Sequence, residues 1–251
     1  GPDTDGSHDD DTEYVPTFCC GTSGVAYFLL QLAAEASIEP SLKSELRGAA
    51  LKGVAHVLSE ARRVDGTLLV PHADAGAQRS LYYLGWCGGP AGWARLFVAL
   101  YATDGSSRWL DELEAAVKAL EEYVRPDELL SLYPVQKVGP WANLGQCCGA
   151  SSVGTFLLRV AESSEEELPL PAGVKDMARA AAMKIADAVA ARVTAYGGVP
   201  SPEEHAAPDD TREQSGWMQG AAGVGSFLLH AHAVKTSGPG GRVRWPDEPL
   251  G

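Results

Sequence analysis

The sequence predicts an all-α protein built from repeated helical hairpins, a toroid or barrel-like α/α array. Three features predict it: four glycine-rich segments align without gaps, each leads into an apolar helix, and the stretches between them carry amphipathic helices. The aligned segments are Cys19-Cys20-Gly21-Thr22-Ser23-Gly24-Val25, Cys87-Gly88-Gly89-Pro90-Ala91-Gly92-Trp93, Cys147-Cys148-Gly149-Ala150-Ser151-Ser152-Val153 and Met218-Gln219-Gly220-Ala221-Ala222-Gly223-Val224. Their common glycines, Gly21, Gly89, Gly149 and Gly220, are 68, 60 and 71 residues apart, room for two helices and a connector each time.

Ahead of the first segment, Gly1-Pro2 reads as a tag remnant, and Asp3 to Glu13, with its Asp9-Asp10-Asp11 run, is too polar to pack. Residues 1–16 are therefore expected to be a disordered acidic start and residues 17–251 a single domain. The apolar helices are expected over Ala26–Ala36, Ala94–Ala102, Gly154–Ala161 and Gly225–Val234. They are apolar nearly all round, as in Val25-Ala26-Tyr27-Phe28-Leu29-Leu30, which predicts burial on both sides in an inner layer. An outer layer follows from Leu42–Arg63, Ser107–Val124 and Gly173–Val193. In the second of these, Leu110, Leu113, Val117, Leu120 and Val124 recur at steps of three and four, with Asp111, Glu112, Lys118 and Glu121 opposite. Thr67–Val70 and Leu130–Val135 are short enough for loop edges or small hairpins only, and Pro200–Arg212 reads as a long exposed loop.

Charge and cysteine usage narrow the function classes. A net charge of −13, from 20 basic and 33 acidic residues, argues against nucleic acid and against an anionic membrane surface as partners. No apolar stretch has transmembrane length and no signal peptide is evident, so a cytoplasmic protein is expected. Five cysteines, four of them in adjacent pairs, make a poor disulfide set and suit metal-bound or free thiols in a reducing compartment. If the glycine corners face a common centre, Cys87, Cys147 and Cys148 converge, and three protein ligands with an open position are the catalytic kind of zinc site. Ordinary buried thiols would show the same spacing, and the residues alone leave both readings open.

Gly85-Trp86-Cys87-Gly88-Gly89-Pro90-Ala91-Gly92, then Gln146-Cys147-Cys148-Gly149, then Ser215-Gly216-Trp217-Met218-Gln219-Gly220-Ala221-Ala222-Gly223-Val224-Gly225 resemble the successive signature segments of the lanthionine cyclase (LanC-like) family. Arg244-Trp245-Pro246-Asp247 is similar to that family's C-terminal end, and the resemblance spans about residues 17 to 249. It implies Zn²⁺ held by Cys87, Cys147 and Cys148, with Cys148 standing where histidine is usual. It also implies conjugate addition of a peptide cysteine thiolate to dehydroalanine or dehydrobutyrine, giving a thioether ring in a dehydrated precursor peptide. Addition of glutathione or another thiol to dehydroamino acids, or a non-catalytic zinc-stabilised scaffold, are the alternatives.

The chain departs from the family pattern at several points. Cys20 stands where a histidine thought to act as acid or base is common, Gly88 where a tyrosine follows the first zinc cysteine, and Tyr83 where an arginine precedes it. About three of the family's usual seven hairpins have no counterpart, so the uncovered inner faces call for a homodimer or a partner domain. The enolate formed by thiol addition needs a proton, for which His72 and Asp74, in the loop leading to Cys87, and Tyr83 and Cys20 are the candidates. Plainer roles for them are a solvated loop histidine and a packed thiol. His56, His230 and His232 fall on helix patterns and are expected to pack or face solvent rather than ligate.

Overall fold

A computed structural model describes residues 14–74, 77–124, 144–201 and 212–237. The chain is predominantly helical: α1 (Thr22–Ala34), α2 (Pro40–Glu60), α3 (Pro90–Asp104), α4 (Arg108–Tyr123), α5 (Ala150–Glu162), α6 (Ala172–Tyr196) and α7 (Ala221–Ser237). The acidic start up to Glu13, the Leu130–Val135 run, most of the Pro200–Arg212 loop and the Arg244–Asp247 segment lie outside the described residues. No helix among the described residues is long and apolar enough to cross a membrane.

Helices α1 and α2, α3 and α4, and α5 and α6 pack as consecutive pairs, and the odd-numbered helices also pack on one another in chain order. Each inner helix begins directly after its corner glycine, about four residues earlier than the apolar runs suggest. The glycine itself is extended at the N-cap, as at Gly21, Gly89 and Gly149. The small residues that follow it carry no apolar signal, yet they form the first helical turn because a fixed contact replaces propensity there. A Cβ at Gly24, Gly92 or Gly223 would collide with the carbonyl oxygen of Phe18, Trp86 or Trp217, in each case six residues upstream. At these three corners the close approach leaves no room for a side chain. Ser152 takes the same place in the third corner, where its hydroxyl donates to the Gly149 carbonyl at 2.7 Å.

The outer helices bury one stripe each, for example Leu113, Val117 and Leu120 of α4 and Val174, Ala178, Ile185 and Val189 of α6. Trp109 and Tyr123 join the α4 stripe, and Trp109 stacks on Phe97 of α3 at 6.2 Å. The Thr67–Val70 run becomes a strand of a small antiparallel hairpin: β1 (Arg62–Val64) pairs with β2 (Thr67–Leu69), Val64 facing Thr67. Asp65 and Gly66 turn it with φ of 49° and 84°, the left-handed pair that suits a two-residue hairpin loop. Leu68 and Leu69 are buried and β2 packs on α4. A second short pair, β3 (Pro200–Ser201) with β4 (Arg212–Glu213), closes the base of the long loop.

Burial of the inner layer is uneven. Almost all of α5 and all of α3 but its last turn and Val98 are buried, as expected, but α1 and α7 are covered on one side only. Val25 and Phe28 of α1 and Leu229 of α7 are 60, 61 and 70% exposed. The physical reason is position in the row: α1 has α3 as its inner neighbour, α7 has α5, and no substantial packing joins α1 to α7 among the described residues.

Candidate metal centre

The corners are joined by a ladder of backbone hydrogen bonds that runs through the same repeat position in each. Cys19 N–H donates to the Cys87 carbonyl (2.9 Å), Cys87 N–H to the Cys147 carbonyl (2.9 Å), and Cys147 N–H to the Met218 carbonyl (2.8 Å). The N-termini of all four inner helices are thereby held side by side at one end. Residues 60 and more apart in sequence are neighbours there because each corner satisfies its backbone on the next.

Side chains tighten the junction between the second and third corners. Gly85 lies so close to Cys148 that a Cβ would come within 2.7 Å of its carbonyl group. Trp86 N–H donates to the Ser152 hydroxyl at 3.1 Å. On the other side, the buried Gln146 amide donates to Thr155 Oγ1 (3.0 Å) and to the Gly223 carbonyl (2.9 Å), fixing the third corner on the fourth. Gly85, Gln146 and Ser152 are residues that sequence reasoning did not single out for a role. The break in the glycine pattern at Ser152 is the one signal that could have pointed to them.

As a result Cys87, Cys147 and Cys148 place their sulfur atoms within 4.8 Å of one another, each half-buried. The Cys147 and Cys148 thiols are 3.4 Å apart. The five cysteines are all free thiols. Hydrogen bonds from Cys148 and then Cys87 bring the Cys147 thiol down to about 4, while Cys148 is pushed up by its hydrogen bond with Cys147, and Cys87 likewise. Within the cluster, ionisation is thus favoured at Cys147 and disfavoured at Cys87 and Cys148. A soft divalent cation is what lets all three ionise together, and a half-buried set of three converging thiols fits zinc in donor type and number.

Around this trio the other candidate residues divide. Tyr83 packs its ring against Gly88, where a Cβ would meet the ring at 3.0 Å, so it adjoins Cys87. His72 meets Tyr83 edge-on with ring centroids 5.0 Å apart, extending the contact outward. Asp74 is occupied elsewhere: its carboxylate accepts from Tyr14 N–H (3.0 Å) and its own N–H donates to the Tyr14 carbonyl (3.1 Å), stapling down the entering chain. Cys20 is exposed, with its sulfur 3.5 Å from that of Cys19. Partial burial of its sulfur, with the neighbouring Cys87 and Cys20 thiols, pushes the Cys19 thiol up to about 12.

Cys19 and Cys20 also line a cleft of about 600 Å³ walled by Phe18, Tyr27, Phe28 and Trp86. Phe18 sets its inner wall, edge-on to Tyr27 at 5.3 Å and to Trp86 at 5.5 Å, and the buried Arg95 guanidinium lies 5.5 Å from both the Phe18 and Tyr27 rings. The other histidines among the described residues are engaged elsewhere or exposed. His230 is buried against Glu162 at 2.6 Å, tying α7 to the C-terminal end of α5, His56 packs edge-on with Tyr14, and His232 is exposed. No protein-family model matches the chain, and no curated protein matches it.

Proposed function

We propose that this protein is a zinc-dependent enzyme that forms lanthionine or methyllanthionine thioethers, adding a cysteine thiol of a dehydrated peptide to a dehydroalanine or dehydrobutyrine of the same peptide. The observation that carries it is the convergence of three thiols from two successive corners beside an apolar cleft. Resemblance of the corner sequences to LanC-like cyclases supports it, and in this reading the row of four inner helices is an arc of an α/α toroid, with a second copy or partner domain over the exposed faces of α1 and α7.

Cys87, Cys147 and Cys148 would hold the metal. Zinc there supplies positive charge that lets a thiol ionise near neutral pH. The cleft wall of Phe18, Phe28 and Trp86 holds apolar residues flanking the reacting cysteine and alkene, keeping water away from both. Sulfur bonds to the β-carbon, the double-bond electrons move to the α-carbon, and the α-carbon takes up a proton, so the ring forms without change of mass. Tyr83, backed by His72, is the donor best placed beside Cys87, with the exposed Cys20 thiol on the other side. Asp74 is left with its structural role.

The experiment is to incubate the zinc-loaded protein with a peptide containing one cysteine and one dehydroalanine, then titrate free thiol with N-ethylmaleimide. Loss of labelling at unchanged mass is the expected outcome, and Tyr83→Phe should slow it. A glutathione adduct formed in preference to the ring would reassign the substrate thiol to a small molecule. Complete labelling with no adduct would refute both.

A non-catalytic scaffold is the second reading, favoured by one observation: the corners that carry the thiols are the ones knitted by the backbone ladder, so a metal there also clamps the fold. Under that reading Cys147→Ala unfolds as it loses metal, whereas the enzyme reading has it stay folded and inactive.

A further inference from the structure

We propose that Cys19 closes the metal centre, its sulfur taking the fourth position on a cation held by Cys87, Cys147 and Cys148. The inference rests on the zinc reading above and concerns a residue that reading does not use. Cys19 stands at the repeat position that Cys87 and Cys147 occupy in the next two corners, and the ladder bond from Cys19 N–H to the Cys87 carbonyl, at 2.9 Å, pins its backbone against them. Its sulfur falls outside the group whose sulfurs are all mutually within 4.8 Å, and the residue is exposed, so the closure calls for a change of its χ1 rotamer. Zinc bound by thiolates takes four ligands in a tetrahedron, and no histidine or carboxylate joins the trio among the described residues.

Such a closure has a functional consequence. Cys19 and the neighbouring Cys20 border the apolar cleft, so the position closed by Cys19 is the one that faces an arriving peptide. A peptide thiol arriving there would displace Cys19, and the released Cys19 sulfur would take up the proton that the thiol gives up, so no free hydroxide or outside base would be consumed. The resting site is shut to water and to other small ligands until a thiol arrives. Cys20, one residue on, is the internal control: it shares the exposure of Cys19 but not its place on the ladder.

X-ray absorption at the zinc edge on the purified full chain reads the coordination directly. The wild type and Cys20→Ser should show four sulfur neighbours, and Cys19→Ser three sulfurs with one oxygen or nitrogen. With cobalt substituted for zinc, the sulfur-to-metal charge-transfer absorption should fall by about one quarter in Cys19→Ser and stay level in Cys20→Ser, in proportion to ligand number. Adding a cysteine-containing peptide to the zinc protein should expose Cys19 to alkylation, read by mass spectrometry. Three sulfurs in the wild type, or a sulfur lost in Cys20→Ser and kept in Cys19→Ser, would overturn the inference while leaving the three-thiol site intact. A protein that binds no metal would overturn the zinc reading and this one with it.

Discussion

The middle of the inner row and its ends are made from similar sequences and behave differently. Helices α3 and α5 have an inner neighbour on each side and, apart from the last turn of α3, bury most of their residues, down to Gly92 and Gly154, whereas α1 and α7 leave Val25, Phe28 and Leu229 more than half exposed. Apolar periodicity is a statement about what a helix prefers to contact, and the ends of the row have nothing on one side to contact. The same division runs through the thiols. Cys87, Cys147 and Cys148, from the two middle corners, form a compact trio, while Cys19 and Cys20, at the end corner, open onto the cleft. A repeat thus places equivalent residues at equivalent corners, and position in the row decides which become core and which become surface.

Substitutions sharpen this contrast. Phe156→Ala in α5, removing a side chain that is 2% exposed, should cost about 4 kcal/mol in urea unfolding. Gly92→Ala drives a Cβ into the Trp86 carbonyl and should cost about 3 kcal/mol, since the Trp86 backbone must give way while the Phe18 side chain crowds the same space. Phe28→Ser at the exposed end should move stability by no more than about 0.5 kcal/mol in dilute monomer. A large loss there at higher protein concentration, absent on dilution, would mark the α1 face as an association surface. Gly48→Ala in α2, where a Cβ meets nothing within 4 Å, should instead stabilise by about 0.5–1 kcal/mol.

The middle trio also predicts a pH dependence in the metal-free protein. Cys147 has its ordinary value of 9.0 lowered to about 4, so between those values the unfolded chain binds a proton that the folded protein does not. Its contribution is fully present above pH 9, shrinks as pH falls, and is gone below about 4. Cys87, Cys148 and Cys19 shift upward, so above pH 9 the unfolded chain ionises them first and stability declines again. With chelator present, the difference in urea midpoint between wild type and Cys147→Ala should widen from about pH 5 to pH 8. A difference that stays flat would show that no thiolate is held there. Cys19→Ser should leave that rise in place.

The helices and their corners were legible in the sequence because two signals coincide there, glycine where the chain must approach itself closely and apolar periodicity where it must bury a face. The convergence of Cys87 with Cys147 and Cys148 was legible for the same reason, since aligned corners imply aligned cysteines. What the sequence did not show was the one-sided exposure of α1, which depends on a neighbour rather than on the residues of α1. Nor did it show the involvement of Asp74 with Tyr14, a hydrogen bond between loops with no periodicity to announce it. The contact between Cys19 and Cys87 was hidden differently: the alignment put them in register, but only the backbone ladder makes register into proximity.

Metal content per chain tests the central claim most directly. Purified under reducing conditions and analysed for all transition metals, the wild type should carry one zinc per chain, and Cys87→Ala, Cys147→Ala and Cys148→Ala should each lose affinity by at least about 100-fold, beyond the range seen for residues that only support a ligand. Cys20→Ser should keep its zinc. Equal metal in the wild type and Cys147→Ala, or none in the wild type after zinc is supplied, would contradict the account.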